Sequence, residues 1–190
     1  KRGFSFFSNN LLDLRMDITL KKDATFFLKT INKKNLHKTL KNFNEKNYKK
    51  ITNNIIQKRK YLKNIKTKTF CNIIQSTNKK LNYDPTITFC ALRNIVNNED
   101  KNIKLLINDI IHLLKNKGKI IILYFNSYEH NFIKNYINEI NENKINKNYY
   151  KLKKTNIINT TYKETINNLR ARKANVIIFE KKILNNKIIY

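Results

Sequence analysis

Apolar residues recur along this chain in two rhythms. Between residues 23 and 82 they return every three or four positions. Ala24, Phe27, Leu28 and Ile31 share one helical face, and Leu36, Leu40 and Phe43 share another. Tyr48, Ile51, Ile55 and Ile56 continue the spacing, and Thr69 is placed to cap a further helix through Phe70, Ile73 and Ile74. The block is predicted to be all helical. Pro85, the single proline, punctuates its end. Beyond it Phe89, Leu92, Ile95 and Val96 start a new helix. Ile103, Leu106, Ile107, Ile110, Ile111 and Leu114 then form the apolar stripe of an amphipathic one. Gly118, after a basic last turn, is its expected C-terminal cap.

The second rhythm is a continuous apolar run, Ile120 to Phe125 after Lys119. It is too short for a helix. Such a run predicts a strand covered on both faces, hence a parallel sheet. Phe132, Ile133, Tyr136, Ile137 and Ile140 give another helix, and Val176-Ile177-Ile178-Phe179 a last strand. Residues 141–170, with the low-complexity stretch NENKINKN, read as loop. So do residues 1–20, where Phe4, Phe6 and Phe7 cluster before Leu12, Leu14 and Met16 alternate with Asp13, Arg15 and Asp17. The predicted class is α/β, organised as a linker over 1–22, a helical insert over 23–82, and an α/β part over 83–190. Two strands do not make a stable open sheet. The remaining strands are expected upstream of Lys1.

Charge sharpens this picture. The chain of 190 residues has 40 Lys+Arg against 13 Asp+Glu, a formal charge of +27. A polyanion partner follows naturally, because neutralising phosphates drives sequence-independent affinity. The excess is mainly Lys and travels with Asn and Ile. AT-rich codons encode those three residues, so coding drift is a competing source of the charge. Cys71 and Cys90 are far apart and outside CxxC spacing, which suggests neither a disulfide framework nor a zinc site. His37, His112 and His130 lack metal-ligand spacing, and no apolar run approaches membrane-spanning length. No metal and no membrane are expected.

Four ordered motifs carry more. RGFSF at 2–6 with LDLRMD at 12–17 resembles the RGFSF…PLDMRMD signature of the small-subunit ribosomal RNA cytosine-N4 methyltransferases, the methyltransferase H family. Pro85-Thr86-Ile87-Thr88-Phe89-Cys90-Ala91-Leu92-Arg93, with Val96-Asn97 and Glu99, resembles its PATRTFQALRI.VN.E. Leu113-Leu114 through ILYFNSYEH resembles LLAPGGRL.VISFHSLED, and Asn168 to Ala174 resembles NPRARSA.

The resemblance implies the C-terminal half of a class I, Rossmann-like methyltransferase sheet with an all-helical insert. It implies S-adenosylmethionine as cofactor, small-subunit rRNA or the small ribosomal subunit as partner, and a cytoplasmic or organellar-matrix location. The cofactor site is expected upstream of Lys1, since a chain with only Gly3 and Gly118 holds no Gly-rich turn for close backbone approach. The substrate and RNA candidates are Asn126 and Ser127, just past a strand's carboxyl end, with Arg15, Arg170 and Arg172. Arg2 and Gly3 are read as shaping a loop at the active-site mouth, Arg93 as structural, and Asp13 with Arg15 either as a buried pair or as a contact to RNA phosphate. Departures matter too. Asn126 stands for the family's His, His130 for its Asp, Ile87 for an Arg and Leu11 for a Pro, while Asn116 and Lys117 replace a Pro and a Gly. An amide at 126 cannot act as a base near neutral pH. Two readings result: a fragment of an rRNA N4-cytidine methyltransferase, inactive alone, or a non-catalytic basic RNA-binding or ribosome-assembly module derived from one.

Overall fold

The computed structural model describes residues 2–6, 8–62, 64–77, 83–142 and 150–184. Phe7, residues 78–82 of the helical block and 143–149 of the predicted loop lie outside them. The chain divides into two compact units, Lys1–Glu99 and Asp100–Tyr190.

The first unit is helical, as its periodicity predicts. Helices α1 (Ala24–Thr30), α2 (Lys33–Asn42), α3 (Tyr48–Lys58), α4 (Thr67–Gln75) and α5 (Thr86–Asn97) surround a core that includes Leu28, Leu40, Ile51, Ile55, Phe70 and Ile74. Asp23 and Asn32 start α1 and α2 by accepting from the backbone N–H groups of Phe26 and Asn35 at 2.7 Å each. That satisfies donors the first turn leaves open. Helix α4 begins at Thr67, so Thr69 is inside it and not its cap. Helix α5 packs against α1 and α2 and belongs to this unit.

The second unit is built on α6 (Glu99–Leu113), which starts in the last residue of the first, then β1 (Lys119–Tyr124), α7 (Ser127–Asn141), β2 (Tyr150–Asn159), α8 (Tyr162–Asn167) and β3 (Asn175–Ile183). Its sheet has the order β1-β3-β2, and β3 runs antiparallel to both neighbours. The expected parallel pairing is therefore replaced by an antiparallel one among the described strands. Helices α6 and α7 cover one face, where Ile107, Ile111, Ile120, Ile133, Ile137 and Ile177 form part of one buried cluster. On the other face Ile121, Leu123 and Ile158 are 65%, 56% and 50% exposed. The apolar run of β1 is thus not covered on both sides. Leu106, assigned to the apolar stripe of α6, is exposed as well.

Two further corrections follow. Residues 150–170, within the stretch predicted as loop, contain β2, α8 and the start of a 3-10 segment at Leu169–Lys173. The strand's Lys-rich outer positions and a register break between Lys154 and Asn156 hide its period of two. Gly118 does not cap α6. The left-handed residue is Lys117, at φ 65°; the Gly118 carbonyl accepts from the N–H of Lys181 at 2.9 Å at the start of the β1–β3 ladder, and its own N–H donates back to the carbonyl of Lys115 at 3.0 Å. The cap comes from β3: the buried Lys181 donates through Nζ to the carbonyls of Ile111 and Leu114, both at 2.8 Å. A cation there also complements the negative end of the helix dipole.

Candidate functional site at the carboxyl end of the sheet

Register brings the separated site residues of the second unit together. Tyr124, the last residue of β1, pairs with Asn175, the first of β3, and Asn159 at the end of β2 pairs with Asn175 from the other side. The carboxyl ends of β1 and β2 and the entry to β3 therefore share one end of the sheet. Asn126 and Ser127 follow β1 there. Arg170 and Arg172 precede β3 there. Thr160, just after β2, ties the corner by donating its hydroxyl to the carbonyls of Ala171, at 2.8 Å, and Ala174.

The 3-10 segment sorts its side chains. Asn168 Oδ1 accepts from the N–H of Arg170 at 3.1 Å and fixes the turn. Ala171 is buried, while Arg170, Arg172 and Lys173 are exposed. Among the described residues the only ion pairs are Asp13–Arg15 and Arg93–Glu99. The guanidinium forks of Arg170 and Arg172 thus remain open to an outside anion. Tyr162, Ile166 and Leu169, spaced four and three apart beside them, are exposed too.

Asn126 has a structural task that sequence reasoning missed. It is the N-cap of α7: its Oδ1 accepts from the N–H of Glu129 at 2.8 Å, and the Glu129 carboxylate accepts from the N–H of Phe125 at 2.9 Å. The Asn-x-x-Glu spacing in NSYEH carries this reciprocal arrangement and was its available signal. The amide oxygen is committed, so the amide N–H₂ is what Asn126 has left for a ligand. His130 stacks on Tyr124 with ring centroids 5.1 Å apart, and its Nε2 is buried without a hydrogen-bond partner.

Arg15 is placed in the first unit, and its donors are occupied. Its Nε donates to Asp13 Oδ1 at 2.6 Å, its Nη2 to Asp13 Oδ2 at 2.8 Å, and its Nη1 to the carbonyl of Leu20 at 2.5 Å. The hydrogen bond from Arg15 holds the Asp13 carboxyl below its ordinary range. Arg2 closes the same loop by donating to the carbonyls of Arg15 and Met16, at 3.0 and 2.6 Å. Asn97, another residue the sequence did not single out for a role, clamps it from α5. Its Oδ1 accepts from the N–H of Met16 at 2.7 Å and its Nδ2 donates to the carbonyl of Leu14 at 2.8 Å. The RGFSF, LDLRMD and VN.E motifs are thus wired to one another. Arg93 pairs with Glu99 at 2.7 Å.

Neither glycine fits a cofactor cradle. Gly3, at φ +73°, is packed against its own chain, where a Cβ would meet the carbonyl oxygen of Leu11 at 2.6 Å and Thr67 Oγ1 at 2.8 Å. A Cβ on Gly118 would meet Leu114 and the carbonyl of Lys115, both at 2.9 Å. No group of His, Cys, Asp and Glu among the described residues is arranged to hold a metal. No helix among them is long and apolar enough to cross a membrane.

The second unit thus carries open cations at a strand-end corner, and in the first unit three motifs are hydrogen-bonded to one another. Residues 1–182 match the sequence model of the MraW methylase family, and the chain belongs to that family. It is 32% identical to the ribosomal RNA small subunit methyltransferase H of Wigglesworthia glossinidia brevipalpis, over 95% of this chain and 64% of that protein. It is 35% identical to the protein of the same name from Blochmanniella pennsylvanica, over 73% of this chain and 43% of that protein. The protein of that name from Vesicomyosocius okutanii is 33% identical over 92% of the chain and 61% of its own length. The chain spans less than two thirds of the length of these curated relatives.

Proposed function

We propose that this chain is the RNA-facing part of an S-adenosylmethionine-dependent methyltransferase that modifies N4 of a cytidine in small-subunit rRNA in the cytoplasm. The observation that carries the reading is that the segments holding Asn126, Ser127, Arg170 and Arg172 adjoin strands at one end of the sheet, with both guanidinium groups open to an anion. Arg170 and Arg172 hold RNA phosphates. The Asn126 amide N–H₂ donates to an acceptor on the target base, and Ser127 lines the approach. Arg15 serves this site only by holding the 12–17 loop in shape. The cofactor supplies the methyl group, and the residues that hold it are assigned outside these 190, in keeping with two glycines that both face their own chain.

The rival reading, a non-catalytic RNA-binding module, draws on the commitment of the Asn126 oxygen to capping and the loss of the family's His. Single-turnover methylation of small-subunit rRNA by the complete protein separates the two. Asn126→Ala and Asn126→Asp are both expected to slow the reaction about tenfold, roughly one lost hydrogen bond in the transition state. Only the alanine should also cost about 1 kcal/mol of stability, because aspartate still caps α7. A full rate in the aspartate variant removes Asn126 from the substrate site. No turnover by the complete wild-type protein supports the module. Calorimetric titration of the 190-residue chain with S-adenosylmethionine should show no micromolar binding, and stoichiometric binding overturns the placement of the cofactor site.

A further inference from the structure

A cavity lies within the first unit, formed by residues outside the sheet corner described above. It measures about 380 Å³, at the small end of ligand pockets, which run from ~300 to 1,000 Å³. Phe6, Cys71, Tyr83 and Pro85 supply its apolar walls, and Lys68 and Asn72 of α4 supply polar groups. The walls are fixed. The Phe6 ring meets Phe89 edge-on with centroids 4.8 Å apart, and Phe89 meets Phe70 at 5.4 Å. Tyr83 is held at both ends. Gln75 Nε2 donates to its carbonyl at 3.2 Å, and its hydroxyl donates to the buried Glu45, which also accepts from Thr88 at 2.9 Å. With the hydroxyl so occupied, Tyr83 offers the cavity its ring. Asp84, also on the lining, has its Oδ1 engaged by the N–H of Thr86 at 2.9 Å and by the Thr86 hydroxyl at 2.5 Å.

Two pinned aromatic residues, the amides of Asn72 and Gln75 and one ammonium around a volume of this size match one kind of ligand. An unstacked nucleobase presents a π-face to such rings and hydrogen-bonding edges to an amide, and its phosphate suits a lysine. We propose that this cavity binds one unstacked nucleotide of an RNA strand, with its base among Phe6, Tyr83 and Pro85 and its phosphate on Lys68. The proposal rests on the RNA reading above. It adds a base pocket in the helical unit, separate from the cations of the sheet corner.

The test uses the full 190-residue chain at low salt with the pentanucleotide rC5, and with the same oligomer carrying an abasic ribose at every position. The intact oligomer is expected to bind about tenfold more tightly, the scale of one lost base–aromatic stack. The variant Lys68→Ala/Asn72→Ala should lose that preference. Lys66→Ala, on an exposed side chain outside the cavity, should keep it. Saturating rC5 should slow methyl methanethiosulfonate modification of Cys71 several-fold and leave Cys90 unchanged. Equal binding of the two oligomers, persistence of the preference in the double variant, or an unprotected Cys71 overturns the pocket and leaves the RNA reading standing. Failure of every oligomer to bind at low salt overturns both.

Discussion

The arginines of the two units are used in opposite ways. Arg2, Arg15, Arg59 and Arg93 of the first unit all donate to carbonyls or carboxylates of the chain itself. Arg170 and Arg172 of the second unit are exposed and make no side-chain hydrogen bond or ion pair among the described residues. In a chain of charge +27, positive charge alone marks nothing. What separates scaffold from interface is whether the donors are already committed. A guanidinium wired to backbone carbonyls has exchanged its water for fixed partners, and an outside phosphate would have to displace them.

The comparison breaks most sharply at Asn97. Replacing it with alanine leaves the buried carbonyl of Leu14 and the part-buried N–H of Met16 without their side-chain partner, and stability should fall by about 2 kcal/mol. Urea denaturation measures it, with RNA affinity per folded molecule unchanged. The second unit has its own anchor in Lys181. Lys181→Met keeps the apolar stem but leaves two helix-end carbonyls without a donor, for an expected loss of about 2 kcal/mol. The same denaturation series tests it, and an unchanged midpoint would show that water replaces the ammonium. Arg170→Ala/Arg172→Ala should do the reverse of both. Stability should stay within ~0.5 kcal/mol. RNA affinity should drop about tenfold, and the slope of log affinity against log salt should shrink by about 2. Filter binding across a salt series reads both, and a slope equal to wild type would make these arginines ordinary surface.

The smallest effect is on pH. The folded-state pKa of Asp13 lies below its unfolded value because Arg15 donates to it. The pair therefore stabilises the fold above the ordinary carboxylate pKa near 4, and that contribution disappears as pH falls through the folded value. Asp13→Asn should flatten the stability curve below pH 4 by a fraction of a kcal/mol, since the side chains are partly solvated. Stability measured from pH 2 to 6 checks the sign.

Most of this organisation is readable in the sequence, and the exceptions have physical causes. Helix α6 follows from Ile103, Ile107, Ile110 and Ile111 because a stripe facing a core must repeat with the helix. Strands β1 and β3 follow from their apolar runs. Direction does not, since an apolar run has the same composition whichever way its neighbour points. The exposed Ile121 and Leu123 made β1 look covered on both sides. Strand β2 escaped notice because lysines occupy both faces around a register break. At the site, placement past a strand end was legible for Asn126 and Ser127. Their sharing one end of the sheet with Arg170 and Arg172 was not, because it needs the β1–β3 pairing across the 50 residues between Tyr124 and Asn175. The pairing of Arg15 with Asp13 was one of two alternatives open from the sequence.

The uncovered face of the sheet has a consequence for handling the protein in solution. Strand β1 is an edge among the described strands, and it carries Ile121 and Leu123 outward on the face where Ile158 of β2, two strands away, is also exposed. An apolar edge strand is a template for joining further strands. Like charge on every copy opposes that encounter, and its reach shrinks from ~30 Å at 0.01 M salt to ~3 Å at 1 M. Salt added to strip RNA from the purified chain therefore also removes the repulsion that keeps copies apart. Light scattering of RNA-free protein should rise with ionic strength, and a lysine at Ile121 or Leu123 should suppress the rise.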